Sequence, residues 1–127
     1  MNLKVVVVDN DKSNLLLIEE MAASSGLEVK GFLYPEIALD YIRSNDVDMV
    51  LTDFRMPKMD GLTLAKEIRK THAGMPVIMI TAEWDDPSLN RTAVESGVDG
   101  ILSKPISYEE FKVKIMEAIQ DTQNRAV

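Results

Sequence analysis

The sequence has no cysteine, one histidine and one tryptophan. The missing cysteine excludes disulfides, thiol catalysis and thiolate metal sites. It fits a reducing compartment, and we expect a cytoplasmic protein. The lone histidine, His72, stands near the end of a helical stretch and reads as a surface residue, so no serine–histidine pair is available. Positive charge is in deficit, with 14 Lys+Arg against 21 Asp+Glu and a net charge of −7. That argues against a nucleic-acid surface, which needs a basic face. No long apolar run occurs near the N-terminus, where only Val5 to Val8 precede the first charges. Such a run is too short for a signal peptide or a membrane span, so no membrane contact is expected. Internal repeats, low-complexity runs and linker-like stretches are also missing.

What remains is an ordinary globular composition in 127 residues, 46% hydrophobic and 28% charged, long enough for one domain with a proper core. Its most informative stretch is Met49-Val50-Leu51-Thr52-Asp53, followed by a turn through Pro57 and Asp60-Gly61. A buried strand over 49–52 delivers Asp53 to the rim of a sheet, beside a stiff loop. Ligands of open α/β sheets bind at such strand ends.

The rest of the chain repeats this theme. Lys4 to Val8 is continuous and β-branched, as a strand buried on both faces should be, and it ends in Asp9-Asn10-Asp11. Asp11 or Ser13 caps a helix whose stripe is Leu15, Ile18 and Ala22, closed by Gly26. A weaker strand runs from Glu28 to Leu33. Pro35 opens a second helix with Ala38, Tyr41 and Ile42 inward and Asn45 at its end. Leu62, Ala65 and Ile68 mark the third helix, closed by the turn at Gly74 to Pro76. Val77 to Ile80 is a fully apolar strand ending in Thr81. A short helix through Leu89, Ala93 and Val94 stops at Gly97. Gly100 to Ser103 is the last strand, ending in Lys104-Pro105. Ser107 and Glu110 form a capping box and Ile106 and Phe111 a hydrophobic staple for the final helix, whose stripe is Phe111, Ile115, Ala118 and Ile119.

Five β-α units with short connections imply a parallel sheet covered by helices on both faces, a doubly wound α/β fold. Right-handed crossovers then bring every strand's carboxyl end to one edge. That edge collects Asp9, Asn10, Asp53, Thr81 and Lys104. Two carboxylates, an amide and nearby carbonyls make an all-oxygen pocket that suits Mg²⁺. Thr81 and Lys104 can bind phosphoryl oxygens, and the nucleophile on offer is a carboxylate. Carboxylates form aspartyl-phosphates, and Asp53 is the expected phosphoacceptor.

These residues also carry a resemblance. Val8-Asp9-Asn10, Asp53 with Met56-Pro57-Lys58-Met59-Asp60-Gly61, Thr81-Ala82 and Lys104-Pro105 follow one another at successive strand ends. In this the chain resembles, end to end, the receiver domain of bacterial two-component response regulators. The resemblance implies five strands in the flavodoxin-like order 2-1-3-4-5 with five flanking helices. It implies phosphorylation of Asp53 by a sensor histidine kinase or phosphotransfer protein. Mg²⁺ would be held by Asp9, Asp53 and the main-chain carbonyl of Arg55, with Thr81 and Lys104 relaying the change to a downstream target. It also implies a cis Lys104–Pro105 bond, for which a tight turn at a strand end is a suitable place.

Two departures from the family pattern stand out. Asn10 occupies a position that usually holds a second acid. An amide oxygen can ligate Mg²⁺ but brings no charge, a difference of about 1 to 4 kcal/mol at ~4 Å and an effective dielectric of 20 to 80. Metal binding should be weaker unless Asp11 reaches in. Ile101 stands where many receivers carry an aromatic switch residue, and in its short apolar strand it also reads as plain core.

Other readings compete. Val5 to Ser13 looks like the nucleophile motif of haloacid dehalogenase-type phosphatases, with Asp9 as nucleophile and Asp11 as acid-base. That family needs a later acidic pair, which nothing after Lys104 supplies, and the reading leaves Asp53 without a role. A degenerate receiver serving only as a binding module is the second alternative, motivated by Asn10. Arg55 and Glu83 lie two residues beyond Asp53 and Thr81 on loops from neighbouring strands. They form either a lid that modulates dephosphorylation or two unrelated surface charges. We expect residues 1–127 to be a single receiver domain without an output domain, no enzyme activity beyond its own phosphorylation and dephosphorylation, and an oligomeric state, monomer or homodimer, left open.

Overall fold

The computed structural model describes residues 2–125. Strands and helices alternate as β1 (Lys4–Val8), α1 (Lys12–Ser24), β2 (Glu28–Phe32), α2 (Pro35–Ser44), β3 (Met49–Asp53), α3 (Gly61–Thr71), β4 (Val77–Thr81), α4 (Pro87–Ser96), β5 (Gly100–Ser103) and α5 (Tyr108–Arg125). The five strands form one sheet in the order β2-β1-β3-β4-β5. All four strand pairings are parallel.

Strand alternation sorts the apolar residues into two cores. Val6, Val8, Val50, Val77 and Met79 meet α2, α3 and α4 on one face. Val5, Val7, Met49, Leu51, Ile78, Ile80 and Leu102 meet α1 and α5 on the other. This is why the central strands read as unbroken apolar runs rather than as alternating ones. Each fully buried valine or leucine contributes about 1.5–3 kcal/mol, so the sheet's centre anchors the domain.

Helix starts follow local chemistry. Asp11 caps α1, its Oδ1 accepting from the N–H groups of Ser13 at 2.9 Å and Asn14 at 3.2 Å. Asp60 caps α3 through Thr63 N–H at 2.8 Å, and Asp86 caps α4 through Ser88 N–H at 2.9 Å. Ser107 Oγ accepts from Glu110 N–H at 3.4 Å before α5, while Ile106 and Phe111 share the second core.

Several expectations need correction. The third strand runs one residue further than its apolar pattern and includes Asp53, which pairs with Ile80. Hydrogen bonding to the neighbouring strand, not side-chain polarity, sets that end. The second strand stops at Phe32, although Leu33 still packs on the second core. Val94 is 74% exposed, and the inward face of α4 is Leu89, Ala93 and Ser96. Ser96 is acceptable there because its hydroxyl donates to Thr92 O at 2.7 Å. Leu62 and Tyr41 are only half-buried; Leu64 and Leu39 take the central positions on their helices. His72 is likewise half-buried, at the end of α3, with Nδ1 2.8 Å from Thr71 Oγ1.

The edge of the sheet away from the strands' carboxyl ends is tied by Arg69. Its guanidinium donates to Gly97 O at 2.6 Å, to Asp99 Oδ2 at 2.7 Å and to the carbonyl of Met75. Asp99 Oδ2 in turn accepts from Val77 N–H at 2.8 Å. The ends of α3 and α4 and the starts of β4 and β5 thus converge on one cation. Gly97, with φ 93°, lies against the Arg69 side chain, so any Cβ there would be both strained and crowded. We expect Arg69→Met to destabilise the fold by about 1–3 kcal/mol, the range for losing a partly buried charged hydrogen-bond hub. Urea denaturation with an unchanged m-value checks it.

Candidate functional site

The carboxyl ends of β1, β3, β4 and β5 border one shallow site, because every crossover returns the chain in the same sense. Asp9 follows β1 and is 0% exposed; Asp53 ends β3 and is 9% exposed. Lys104 leaves β5 and reaches between them, with Nζ 3.2 Å from Asp9 Oδ2 and 3.1 Å from Asp53 Oδ1. Its backbone N–H donates to Thr81 O at 3.1 Å, and the Lys104–Pro105 peptide that follows is cis.

The backbone holds both carboxylates in place. Asp9 Oδ1 accepts from Asp11 N–H at 2.9 Å, and Asp53 Oδ1 accepts from Phe54 N–H at 2.8 Å. Asp53 Oδ2 receives neither the Phe54 N–H nor the Lys104 ammonium. Gly61 secures the loop beyond Asp53, its N–H donating to Phe54 O at 2.7 Å. A Cβ at Gly61 would stand 2.3 Å from the Asp53 carbonyl oxygen. The residue type is set there by close approach, a role that the Asp60-Gly61 turn signal only hints at.

Charge is unevenly compensated. Burial pushes the Asp9 carboxyl up, and the Asp53 charge adds to the rise. The Asp11 N–H and the Lys104 ammonium oppose it without cancelling it. Two carboxylates therefore share one ammonium, and the donors facing the site are oxygens. This donor set fits a hard divalent cation such as Mg²⁺, which retains several waters. Among the described residues no group of three or more acidic, histidine or cysteine side chains could hold a metal, so carbonyl, amide or water oxygens must complete any such site.

The predicted site residues fall into distinct places. Asp9, Asp53 and Lys104 are in direct contact. Thr81, buried at the end of β4, accepts through Oγ1 from Glu83 N–H at 3.1 Å. Arg55 and Glu83 meet in a two-pronged ion pair, Nε to Oε2 at 2.5 Å and Nη2 to Oε1 at 2.6 Å. Those hydrogen bonds lower the Glu83 carboxyl and raise the Arg55 guanidinium. Asn10 is exposed directly after Asp9. Asp11 is exposed too, and its Oδ1 caps α1. Ile101 is half-buried on β5 against the first core.

A five-stranded parallel sheet in this order, with a buried acid pair at its carboxyl edge, is an open doubly wound α/β domain whose polar site lies at the strand ends. The response regulator receiver domain model matches residues 5–116, and the chain belongs to that family. It is 32% identical over 124 residues to the cyclic di-GMP phosphodiesterase response regulator RpfG of Xanthomonas campestris pv. campestris (strain 8004), covering 94% of this chain and 32% of RpfG. It is 35% identical over 122 residues to the DNA-binding transcriptional regulator NtrC of Escherichia coli (strain K12), covering 95% of this chain and 26% of NtrC. The chain thus spans about a third or less of these curated relatives. A CheY-like receiver domain protein from Methanospirillum hungatei JF-1 has the same fold, with TM-score 0.91, 22% identity, and coverage of 98% of this chain and 99% of that one. The domain is a phosphorylation-dependent signalling switch of the two-component type, and the phosphatase and binding-module readings are not favoured.

The buried charge at Asp9 has a measurable consequence. Its folded pKa is raised, so the folded state holds a proton that the unfolded chain has already lost above about pH 4. Stability of the metal-free protein therefore falls as pH climbs from about 4 through the raised value. We expect Asp9→Asn to lack this fall and, at neutral pH without metal, to melt a few degrees higher, the response of a domain this size to about 1 kcal/mol. Thermal denaturation across pH in EDTA checks both.

Proposed function

We propose that Asp53 is the phosphoacceptor. The observation that carries this reading is the pinning of its Oδ1 by Phe54 N–H and Lys104, which leaves Oδ2 as the oxygen to attack. The donor is a phosphohistidine on a sensor histidine kinase or a phosphotransfer protein. A bond forms between Oδ2 and phosphorus as the phosphorus–nitrogen bond breaks, and the departing imidazole keeps the electron pair and takes a proton. Lys104, already between the two acids, then pairs with a phosphoryl oxygen, and the Thr81 hydroxyl donates to another. Asp9, Asn10, Asp53 and the Arg55 carbonyl hold Mg²⁺, which supplies neutralisation of the crowded negative charge. Arg55 and Glu83 modulate the lifetime of the product, and Thr81 and Ile101 pass the change into the fold.

On this reading residues 1–127 act as one receiver domain in the cytoplasm, and the domain catalyses only its own phosphorylation and dephosphorylation. Among the described residues no helix is long and apolar enough to cross a membrane. The downstream target recognises the phosphorylated form, and this acidic domain itself contacts no nucleic acid.

Two outcomes test the reading. Acetyl phosphate with Mg²⁺ should add one phosphate to the parent and none to Asp53→Asn, read by intact mass. Labelling that survives in the variant would move the nucleophile to Asp9. Asn10→Asp should tighten Mg²⁺ binding roughly 5- to 1000-fold, from about 1 to 4 kcal/mol of restored charge interaction. A calorimetric titration showing equal affinity would mean that water already compensates.

A further inference from the structure

We propose that the Arg55–Glu83 ion pair is a strap holding the β4–α4 loop at rest, and that transfer of Arg55 from Glu83 to a phosphoryl group on Asp53 releases Trp84 beside the groove between α4 and α5. The inference rests on Asp53 being the phosphoacceptor. It gives the modulating pair a second task, that of carrying the signal away from the site.

The strap is visible in the contacts. Arg55 belongs to the loop after β3 and Glu83 to the loop after β4, and their two-pronged pairing joins the loops. The Arg55 guanidinium also lies over the Phe54 ring, 4.9 Å from its centroid, so it is held close to the residue that follows Asp53. Glu83 is fastened on its other side, where its N–H donates to the Thr81 hydroxyl at 3.1 Å. Both fastenings of Glu83 thus use groups that a phosphorylated Asp53 would recruit.

Trp84 comes next in the chain and is 50% exposed, the largest apolar side chain the fold leaves out. It borders a groove with Ile101, Val113 and Glu110, and its carbonyl accepts from Asn90 Nδ2 at 3.2 Å on the first turn of α4. Ile101 is aliphatic, so the aromatic surface at this groove comes from Trp84. A shift of Glu83 is passed to it through a single peptide link.

The exchange is favourable for electrostatic reasons. Arg55 is largely exposed, and exposed ion pairs are weak restraints. A phosphoryl group carries more negative charge than a carboxylate and matches the guanidinium fork at least as well. Once Arg55 leaves, Glu83 is left facing the negative charge of Asp86, which already opposes its ionisation. The loop then has one fastening fewer and a repulsion uncovered.

The protein contains one tryptophan, so its fluorescence reports on this loop alone. Acrylamide quenching and intact mass would be read on the same samples of the whole chain, before and after acetyl phosphate with Mg²⁺. We expect quenching of the parent to rise roughly twofold on phosphorylation, as local loosening of a half-exposed aromatic allows. Glu83→Gln and Arg55→Ala should show the raised quenching beforehand and change little when phosphorylated. A parent that gains phosphate with unaltered quenching would overturn the strap while leaving the Asp53 reading intact. Variants that quench like the resting parent would also overturn it. A parent that gains no phosphate would remove the phosphoacceptor reading and the strap with it.

Discussion

One ammonium between two buried carboxylates is the interaction on which the site depends. Asp9 and Asp53 are brought together by neighbouring parallel strands, and neither could be buried in ionised form without a counter-charge. Lys104 supplies it from a strand two places further along the sheet. The arrangement leaves negative charge in excess, which any arriving cation or redistribution of protons can relieve. The pocket is therefore unstable enough to respond and well enough tied by backbone N–H groups not to collapse.

Around that triad the loops differ in how firmly they are held. The segment after β3 is stapled by the Gly61 N–H to the Phe54 carbonyl, with Gly61 packed against the Asp53 carbonyl, and by the Asp60 cap to the start of α3. The segment after β4 is fixed by solvent-exposed contacts, through Glu83, Asn90 and the Asp86 cap. Change at the site should therefore be absorbed mainly by the second loop. A rigid floor with one yielding wall is what a switch needs, since a uniformly stiff site would transmit nothing and a uniformly soft one would dissipate the change.

Much of this could be read in the residues alone. Strand ends, handedness and the four motif pieces located Asp9, Asp53, Thr81 and Lys104 on one edge, because parallel sheets translate sequence order into position. Helix caps at Asp11 and Ser107 were legible for a similar reason, being local chemistry. The limits of the reading were equally physical. Val94 looked inward because it is apolar, yet Ser96 occupies that face by bonding its own helix. Whether Asp11 turned inward or capped α1 depended on side-chain direction, which spacing does not encode. The Arg69 hub was missed because its acceptors are mostly main-chain carbonyls, which have no signature in the residue types.

That hub has an implication for how the domain can vary. By gathering the starts of β4 and β5 and the ends of α3 and α4, Arg69 ties the pole opposite the Asp9–Asp53–Lys104 site. Substitutions at that pole act on whether the chain folds. Those at the other act on the charge balance of Asp9, Asp53 and Lys104. The two consequences are thereby separated in space, so a change of charge at the one pole leaves the hydrogen bonds that tie the other intact.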